Sequence, residues 1–268
     1  MKAEELPKKP REKYLISKGV DRFFASIYDV MQFVVHFFKE LFLPPFEFSE
    51  LVRQCYAIGV RSLPLITLTG FITGIVFTKQ SRPSLAEFGA TSWLPSLVAI
   101  AVIRSLAPLV TALICAGKVG SSIGAELGSM KVTEQIDAME VSAINPFKYL
   151  VVSRVLASTI MISTLMMYFG FICMMGSYLD IHANEHQSFT AFVQSAFQKI
   201  SFFDYTSSIV RSLLFGFTIG MVGCYQGYTT SQGTQGVGKA ANTAVVVSMF
   251  LLFIEEMLMT QILNILHS

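Results

Sequence analysis

Five long apolar runs divide the chain, and shorter polar segments separate them. The runs cover about residues 60–78, 94–128, 149–179, 208–225 and 240–265. A helix that crosses a bilayer needs roughly 20 mostly apolar residues, and each run approaches or exceeds that length. The pattern predicts an all-α integral membrane protein with about five transmembrane helices in a single domain over residues 46–268.

The segment before the first run has a different pattern. Residues 1–19 are polar and basic, contain two prolines, and are expected to be loosely attached. In residues 20–45, four polar side chains recur at helical spacing, namely Asp29, Gln32, His36 and Lys39. Because Asp29 would lie near the bilayer centre in a spanning helix, the pattern favours an amphipathic helix that lies in the membrane interface.

The polar segment between the second and third runs also has helical periodicity. Its apolar positions are Val132, Ile136, Met139 and Ala143, and its acidic positions are Glu134, Asp137 and Glu140. Thr133 is predicted to cap the start of this helix, and Asn145-Pro146 to end it. Periodicity predicts a helix over residues 132–143 but leaves two interpretations open: a solvated connector, or a helix that docks in a groove of a partner.

Composition and charge agree with a membrane protein. The chain is 53% hydrophobic and 14% charged, whereas about a quarter of the residues in a soluble domain are charged. The net charge is +2, and no basic stripe remains beyond the N-terminus, so a nucleic-acid partner is not expected. If the N-terminus is cytoplasmic, residues 129–148 and 226–238 face the cytoplasm. Most basic residues near the membrane then lie on the cytoplasmic side, as the positive-inside rule requires.

Small residues recur four positions apart within the runs. The pairs are Gly70 and Gly74, Gly120 and Gly124, and Gly216 and Gly220. Glycines at this spacing allow two membrane helices to approach closely. These six residues are therefore predicted to lie at contacts between helices.

Two acids lie deep in the last run. Glu255 and Glu256 are about 15 residues into it, or roughly 22 Å along a helix that rises 1.5 Å per residue. Acids at this depth are costly unless they face water, a cavity or a cation. The sequence leaves open whether they are wetted near the outer interface, or whether at least one faces a cavity or a cation such as Arg104.

Two other motifs are poor matches to catalytic sites. Gly233-x-x-x-x-Gly238-Lys239 has most of a phosphate-binding loop, but Ala240 replaces the Ser or Thr that holds magnesium, and no apolar strand precedes it. His182-x-x-Glu185-His186 matches an inverted zinc-protease pattern, but it lies in a short polar segment beside a membrane span. The sequence thus predicts neither a catalytic site nor a bound metal or cofactor.

Long motifs around the polar segment resemble the MlaE/YrbE family, the permease subunits of ABC transporters that work with Mce-domain lipid-transfer proteins. They are ELGSM at residues 126–130, TEQIDAMEV at 133–141 and NPFKYLVVSRVLA at 145–157, and GTQGVGKA at 233–240 resembles a second family motif. The similarity covers roughly residues 45–265. Ser153 departs from the pattern, because the family usually has proline before the arginine.

The resemblance implies a permease of a bacterial inner membrane that forms a homodimer around a lipid cavity. It implies three partners: a cytoplasmic ATPase that hydrolyses ATP, an Mce-domain protein, and a phospholipid or related lipid. The expected ATPase-coupling residues are Val132, Glu134, Ile136, Asp137, Met139 and Glu140. The candidates for the lipid cavity are Glu255, Glu256 and Arg104.

Two rival functions use the same residues differently. An ion- or proton-coupled secondary transporter would use Glu255, Glu256 and Arg104 as a relay and would need no ATPase. A membrane-embedded enzyme would depend on His182 and His186. Capture of an ATPase by the purified permease would distinguish the ABC transporter function from both rivals.

Overall fold

The computed structural model describes residues 12–44, 47–230 and 233–267, with the side chains of residues 12–23, 264, 266 and 267 outside that description. The chain forms two units, residues 1–44 and 45–268. The first unit contains one helix, α1 (Glu12–Phe42), which begins inside the segment expected to be loosely attached. Residues 1–11 lie outside the described part.

The described part of α1 exposes both polar and apolar side chains. Asp29, Gln32 and Lys39 of the polar stripe are exposed, and so are the apolar Phe24 and Met31. Exposed apolar side chains on an amphipathic helix suit contact with a membrane surface. The position of α1 in the interface stays a prediction.

Five helices of the second unit are long and apolar enough to cross a membrane, among the residues described. They are α2 (Phe48–Glu87), α3 (Thr91–Val132), α5 (Phe147–Glu185), α7 (Phe202–Tyr228) and α8 (Thr234–His267). Two short helices connect them: α4 (Gln135–Val141) between α3 and α5, and α6 (Phe189–Phe197) between α5 and α7. All regular elements in the described residues are helical, so the predicted all-α class with five spans is confirmed.

The short helices mark the two ends of the bundle. Helix α4 lies at the end where α2, α5 and α8 begin, and we call this the α4 end. Helix α6 lies where α2 and α5 finish, and we call this the α6 end. Side-chain caps define the turns there: Ser188 Oγ accepts from the Ala191 amide at 3.4 Å, and Ser201 and Asp204 form a reciprocal capping box that starts α7.

The helices are longer than the apolar runs that predict them. Helix α2 contains 40 residues, which is about 60 Å at 1.5 Å per residue, twice the roughly 30 Å of a hydrocarbon core. It includes Pro64 and Pro83, and it extends beyond the apolar run of residues 60–78 at both ends. Hydropathy marks only the part of a helix that meets lipid, so the polar extensions were not predicted.

Three stretches are π-helical. Two interrupt α3, at Val102–Leu106 and Ala116–Gly120, and the third opens α5 at Phe147–Val152. A π-turn inserts an extra residue into an α-helix and rotates the side chains that follow. The third follows Asn145-Pro146 directly, so the chain returns into the bundle through a π-helical turn. It does so even though Ser153 replaces the proline of the family pattern.

Helix α5 packs closely against α2 on one side and α7 on the other. A Cβ atom at Gly74 would overlap the Cys173 carbonyl of α5, and a Cβ at Gly216 would lie 2.8 Å from Thr159 Cα. Serine hydroxyls bridge the same contacts, because Ser177 Oγ donates to Gly74 O at 3.1 Å and Ser158 Oγ to Gly216 O at 3.0 Å. The backbones of three helices therefore touch along α5.

The other predicted packing glycines differ in how close their neighbours are. Gly220 faces Val155 Cα, 3.0 Å from a Cβ position, and Gly70 faces Phe169 O at 3.3 Å. Gly124 faces Ala240 O of α8 at 3.3 Å, and Gly120 has the most room, with Ile219 Cγ2 at 3.6 Å. All six lie at helix contacts, but only some of them exclude a side chain.

We expect Gly74→Ala to destabilise the protein more than Gly117→Ala. The methyl group at residue 74 meets backbone that cannot move aside, and such overpacking typically costs about 1–3 kcal/mol. At Gly117 the nearest atom is Met249 Cε at 3.9 Å. Thermal unfolding of both purified variants in detergent measures the difference, and equal melting temperatures would refute the close contact.

Candidate functional site

The segment predicted to contact an ATPase starts later than its sequence pattern suggests. Helix α3 continues through Val132, and Thr133 Oγ1 donates back to Ser129 O at 2.9 Å. Glu134 then adopts a left-handed conformation with φ of 56°, and α4 begins at Gln135. The predicted cap by Thr133 and the start at Val132 are therefore wrong, because threonine can bond the carbonyl four residues earlier and so closes the preceding helix.

The apolar positions of this segment do not form one exposed face. Ile136 is 1% exposed and packs within its own subunit. Met139 is half-buried, and Ala143 lies beyond the helix with φ of 60°. Ile136 thus anchors α4 to the subunit that carries it and is not available to insert into a partner in this conformation.

Two other apolar residues of the segment are exposed. Val141 is 90% exposed and Ile144 is 46% exposed, at the end of α4 and in the turn after it. Neither residue was predicted to be part of the contact, because neither falls on the i, i+4, i+7 pattern that begins at Val132. They form an exposed apolar tip beside Glu140.

The acidic residues of the segment differ in their surroundings. Asp137 pairs with Lys131, the Nζ to Oδ1 distance being 2.9 Å. Glu134 and Glu140 are exposed, and neither has an ion-pair partner among the described residues. The segment therefore presents two accessible carboxylates and one that is already paired.

A polar cluster lies at the starts of α2 and α5, and α5 begins directly after this segment. Glu50 is 3% exposed and accepts from Gln54 Nε2 at 2.7 Å, from Arg53 at 2.8 Å and from the Tyr149 hydroxyl at 3.2 Å. Tyr149 belongs to the π-helical start of α5. The cluster connects the start of α5, which follows α4, to helix α2. The sequence pattern does not reveal it, because Glu50 and Tyr149 are 99 residues apart.

Arg154 adds a connection to α3. It is buried, its Nη1 donates to Leu150 O at 3.1 Å, and its Nη2 lies 3.5 Å from Glu126 Oε2. Helices α2, α3 and α5 are thus joined by charged or hydrogen-bonded side chains at the α4 end.

A second group of charges lies deeper in the bundle, between α7 and α8. Glu256 Oε1 accepts from Arg211 Nη1 at 2.5 Å and from Ser105 Oγ at 3.3 Å. The Arg211 guanidinium also donates to Arg104 O at 3.0 Å and to Thr260 Oγ1 at 3.4 Å. One arginine therefore connects α3, α7 and α8.

The partners of the predicted cavity residues differ from those expected. Arg104 pairs with Asp204, at 2.8 Å, and not with Glu255 or Glu256. Glu255 accepts from the Thr218 hydroxyl, and no ion pair reaches it from the described residues. The suggested pairing with Arg104 is wrong, because α7 places Arg211 nearer to Glu256; an arginine in the fourth apolar run was the available signal.

The two catalytic look-alike motifs are accounted for by other contacts. Glu185 lies 3.5 Å from Arg82, and His182 Nδ1 lies 2.9 Å from Gln187 O. The described side chains include no group of three residues that could hold a metal. Gly233 has φ of 104°, and Lys239 lies inside α8, whose start at Thr234 makes this a helix entry.

The geometry defines a class of protein: a multi-pass helical membrane protein with polar contacts at one end and paired charges inside the bundle. The family model described as Permease MlaE matches residues 51–262. The chain belongs to the MlaE permease family. It is an ABC transporter permease of that family, which makes it the membrane subunit of such a transporter.

Individual relatives support the assignment of the chain as an ABC transporter permease. A probable ABC transporter permease protein of Rickettsia typhi is 36% identical over 249 residues, which is 93% of this chain and 96% of the relative. One of Rickettsia prowazekii is 36% identical over the same shares of the two chains. One of Synechocystis is 35% identical over 76% of this chain and 78% of its own length.

We expect Arg211→Met to destabilise the protein by about 3–5 kcal/mol, because it leaves the Glu256 carboxylate buried without its cation. The double variant Arg211→Met/Glu256→Leu should recover most of that loss. Arg104→Met is the control, since its partner Asp204 keeps the capping bonds to Ser201. Thermal unfolding in detergent compares the three, and a double variant as unstable as the single one would contradict the pairing.

Proposed function

We propose that this permease moves phospholipids or related lipids between a bacterial inner membrane and an Mce-domain carrier. Two copies form the membrane part around a lipid cavity, and a separate ATPase binds at the α4 end. The observation that carries the proposal is the exposed tip of α4, which the Asn145-Pro146 turn joins to the start of α5, where Tyr149 contacts Glu50. A partner that moved this tip would act on the start of α5 and, through Glu50, on α2.

The proposed orientation puts the N-terminus and the α4 end in the cytoplasm. Lys131, Lys148 and Arg154 lie at that end, in agreement with the positive-inside rule. At the α6 end, Arg82 is 2.6 Å from Asp180, so part of the positive charge there is neutralised within the chain.

The proposed coupling contact uses exposed groups. Glu134 and Glu140 would meet basic or hydrogen-bonding groups of the ATPase, and Val141 and Ile144 would fill an apolar groove on it. Asp137 and Val132 act indirectly in this scheme, through Lys131 and the end of α3. Ile136 and Met139 hold the segment on its own subunit.

We expect Glu140→Lys to abolish capture of the ATPase by a tagged permease, because it reverses an exposed charge beside the apolar tip. Glu87→Lys reverses an exposed charge at the opposite end and should retain the ATPase. Co-purification from the membrane tests both variants. If the unmodified permease never brings down an ATPase, the proposed function is wrong.

We expect Glu50→Gln to lower lipid transport while the ATPase remains bound. Glutamine keeps the side-chain shape but removes the charge that Arg53 and Tyr149 share. The measurement is ATP-dependent transfer of a fluorescent phospholipid from proteoliposomes, together with ATP hydrolysis. Hydrolysis without transfer is the expected result, and unchanged transfer would exclude Glu50 from coupling.

The acids of α8 are proposed to face the lipid cavity. Glu255 carries the argument, since its Oε2 atom is buried without a hydrogen-bond partner among the described residues. The same observation favours a secondary transporter in which Glu255 exchanges a proton. If Glu255→Gln and Glu256→Gln both leave transfer unchanged, neither role holds; dependence on a proton gradient in place of ATP would favour the second.

A further inference from the structure

A cavity of about 240 Å³ lies at the α6 end, between α3, α5, α6 and α7. Its lining is almost entirely apolar and includes Met166 and Met174 of α5, and Phe192 and Val193 of α6. No described side chain of α8 lines it, so it is separate from the site of Glu255 and Glu256. None of the roles described above uses this cavity.

Water is a poor occupant of this cavity. A buried water needs two to four polar partners, and the lining contains no charged side chain. Its one serine, Ser208, already donates its hydroxyl, which lies 2.9 Å from Asp204 O and also contacts Ile103 O. An apolar cavity of about 150 Å³ in another protein binds benzene, and this one is larger.

The mouth of the cavity opens on the side of the bundle. Phe171 and Met167, which line it, are 62% and 43% exposed on the outer surface of α5. On a membrane-spanning helix, such exposed apolar side chains meet lipid tails. The cavity is therefore continuous with a surface that hydrocarbon chains already contact.

The volume of the cavity favours a flexible chain over a protein partner. A whole helix is about 10–12 Å across with its side chains and could lie only against the mouth. Methionine side chains adapt to irregular apolar ligands because their thioethers rotate freely and are polarizable. We propose that this cavity, the α6 cavity, binds one acyl chain of a phospholipid from the surrounding bilayer.

The proposal rests on membrane insertion alone and not on the proposed transport function. A chain held here would lie under α6 and between α5 and α7, and would fix the short helix against the bundle. Failure of lipid transfer would therefore leave the proposal standing, and failure of the proposal would leave the transport function standing.

The test uses the full-length permease in phosphatidylethanolamine nanodiscs that contain a small fraction of the same lipid with a diazirine on one acyl chain. After photolysis, mass spectrometry maps the labelled residues. We expect labelling at Met174 and Val193 above that at Ile160 and Leu213, which are exposed on α5 and α7 outside the cavity. Equal labelling at all four positions would overturn the proposal.

Filling the cavity supplies the matched comparison. Val193→Trp should reduce the labelling of Met174 to the level of Ile160, whereas Gln194→Trp, on the exposed side of the same helix, should leave it unchanged. Val193→Phe is the smaller substitution and should reduce the labelling of Met174 by a smaller amount. It keeps the test available if Val193→Trp fails to fold. Persistent labelling of Met174 in the folded Val193 variants would also overturn the proposal.

A second probe separates the possible sources of the chain. The same diazirine on a free fatty acid should label the cavity less than the phospholipid probe does at equal concentration in the nanodisc. Labelling by the fatty acid alone would show that the occupant is not a bilayer phospholipid. Crosslinks from cavity residues to a co-purified protein, with no lipid adduct, would assign the cavity to a partner.

Discussion

Close backbone contact along α5 is the interaction on which the rest of the bundle depends. In a bilayer, apolar side chains gain little by leaving lipid for protein, so helices associate through close packing and hydrogen bonds. Gly74 on α2 and Gly216 on α7 leave no room for a side chain against α5, and serines of α5 donate to both glycine carbonyls. Helix α5 is thus held on two sides, and the turn at its start inherits a fixed position.

Because the start of α5 is held in place, movement at the α4 end can be transmitted to other helices. Helix α4 has only seven residues, too few to be stable alone, so its placement depends on Ile136 and on the helices around it. The π-helical turn that follows carries Tyr149 to Glu50, and Arg154 reaches Glu126. A displacement of α4 would reach α2 and α3 through these side chains, which is the physical basis of the proposed coupling.

Most charges inside the described part of the bundle follow one rule, and Glu255 is an exception. Isolated charges are expensive in a medium of low polarity, and most of those inside the bundle are paired within the chain: Arg82 with Asp180, Arg104 with Asp204, and Arg211 with Glu256. Glu255 has only the Thr218 hydroxyl among the described residues. Each pair joins different helices, so the same interactions that make the charges tolerable also hold the helices in register.

The sequence by itself determined the helical class and the five spans, because hydropathy is a local property of a membrane helix. Only the tertiary structure decided where the helices end, since polar extensions carry no hydropathy signal. It also decided that Thr133 closes α3, that Ile136 is buried, and that Arg211 is the partner of Glu256. These outcomes depend on side chains far apart along the chain, and the periodicity of a single segment does not contain them.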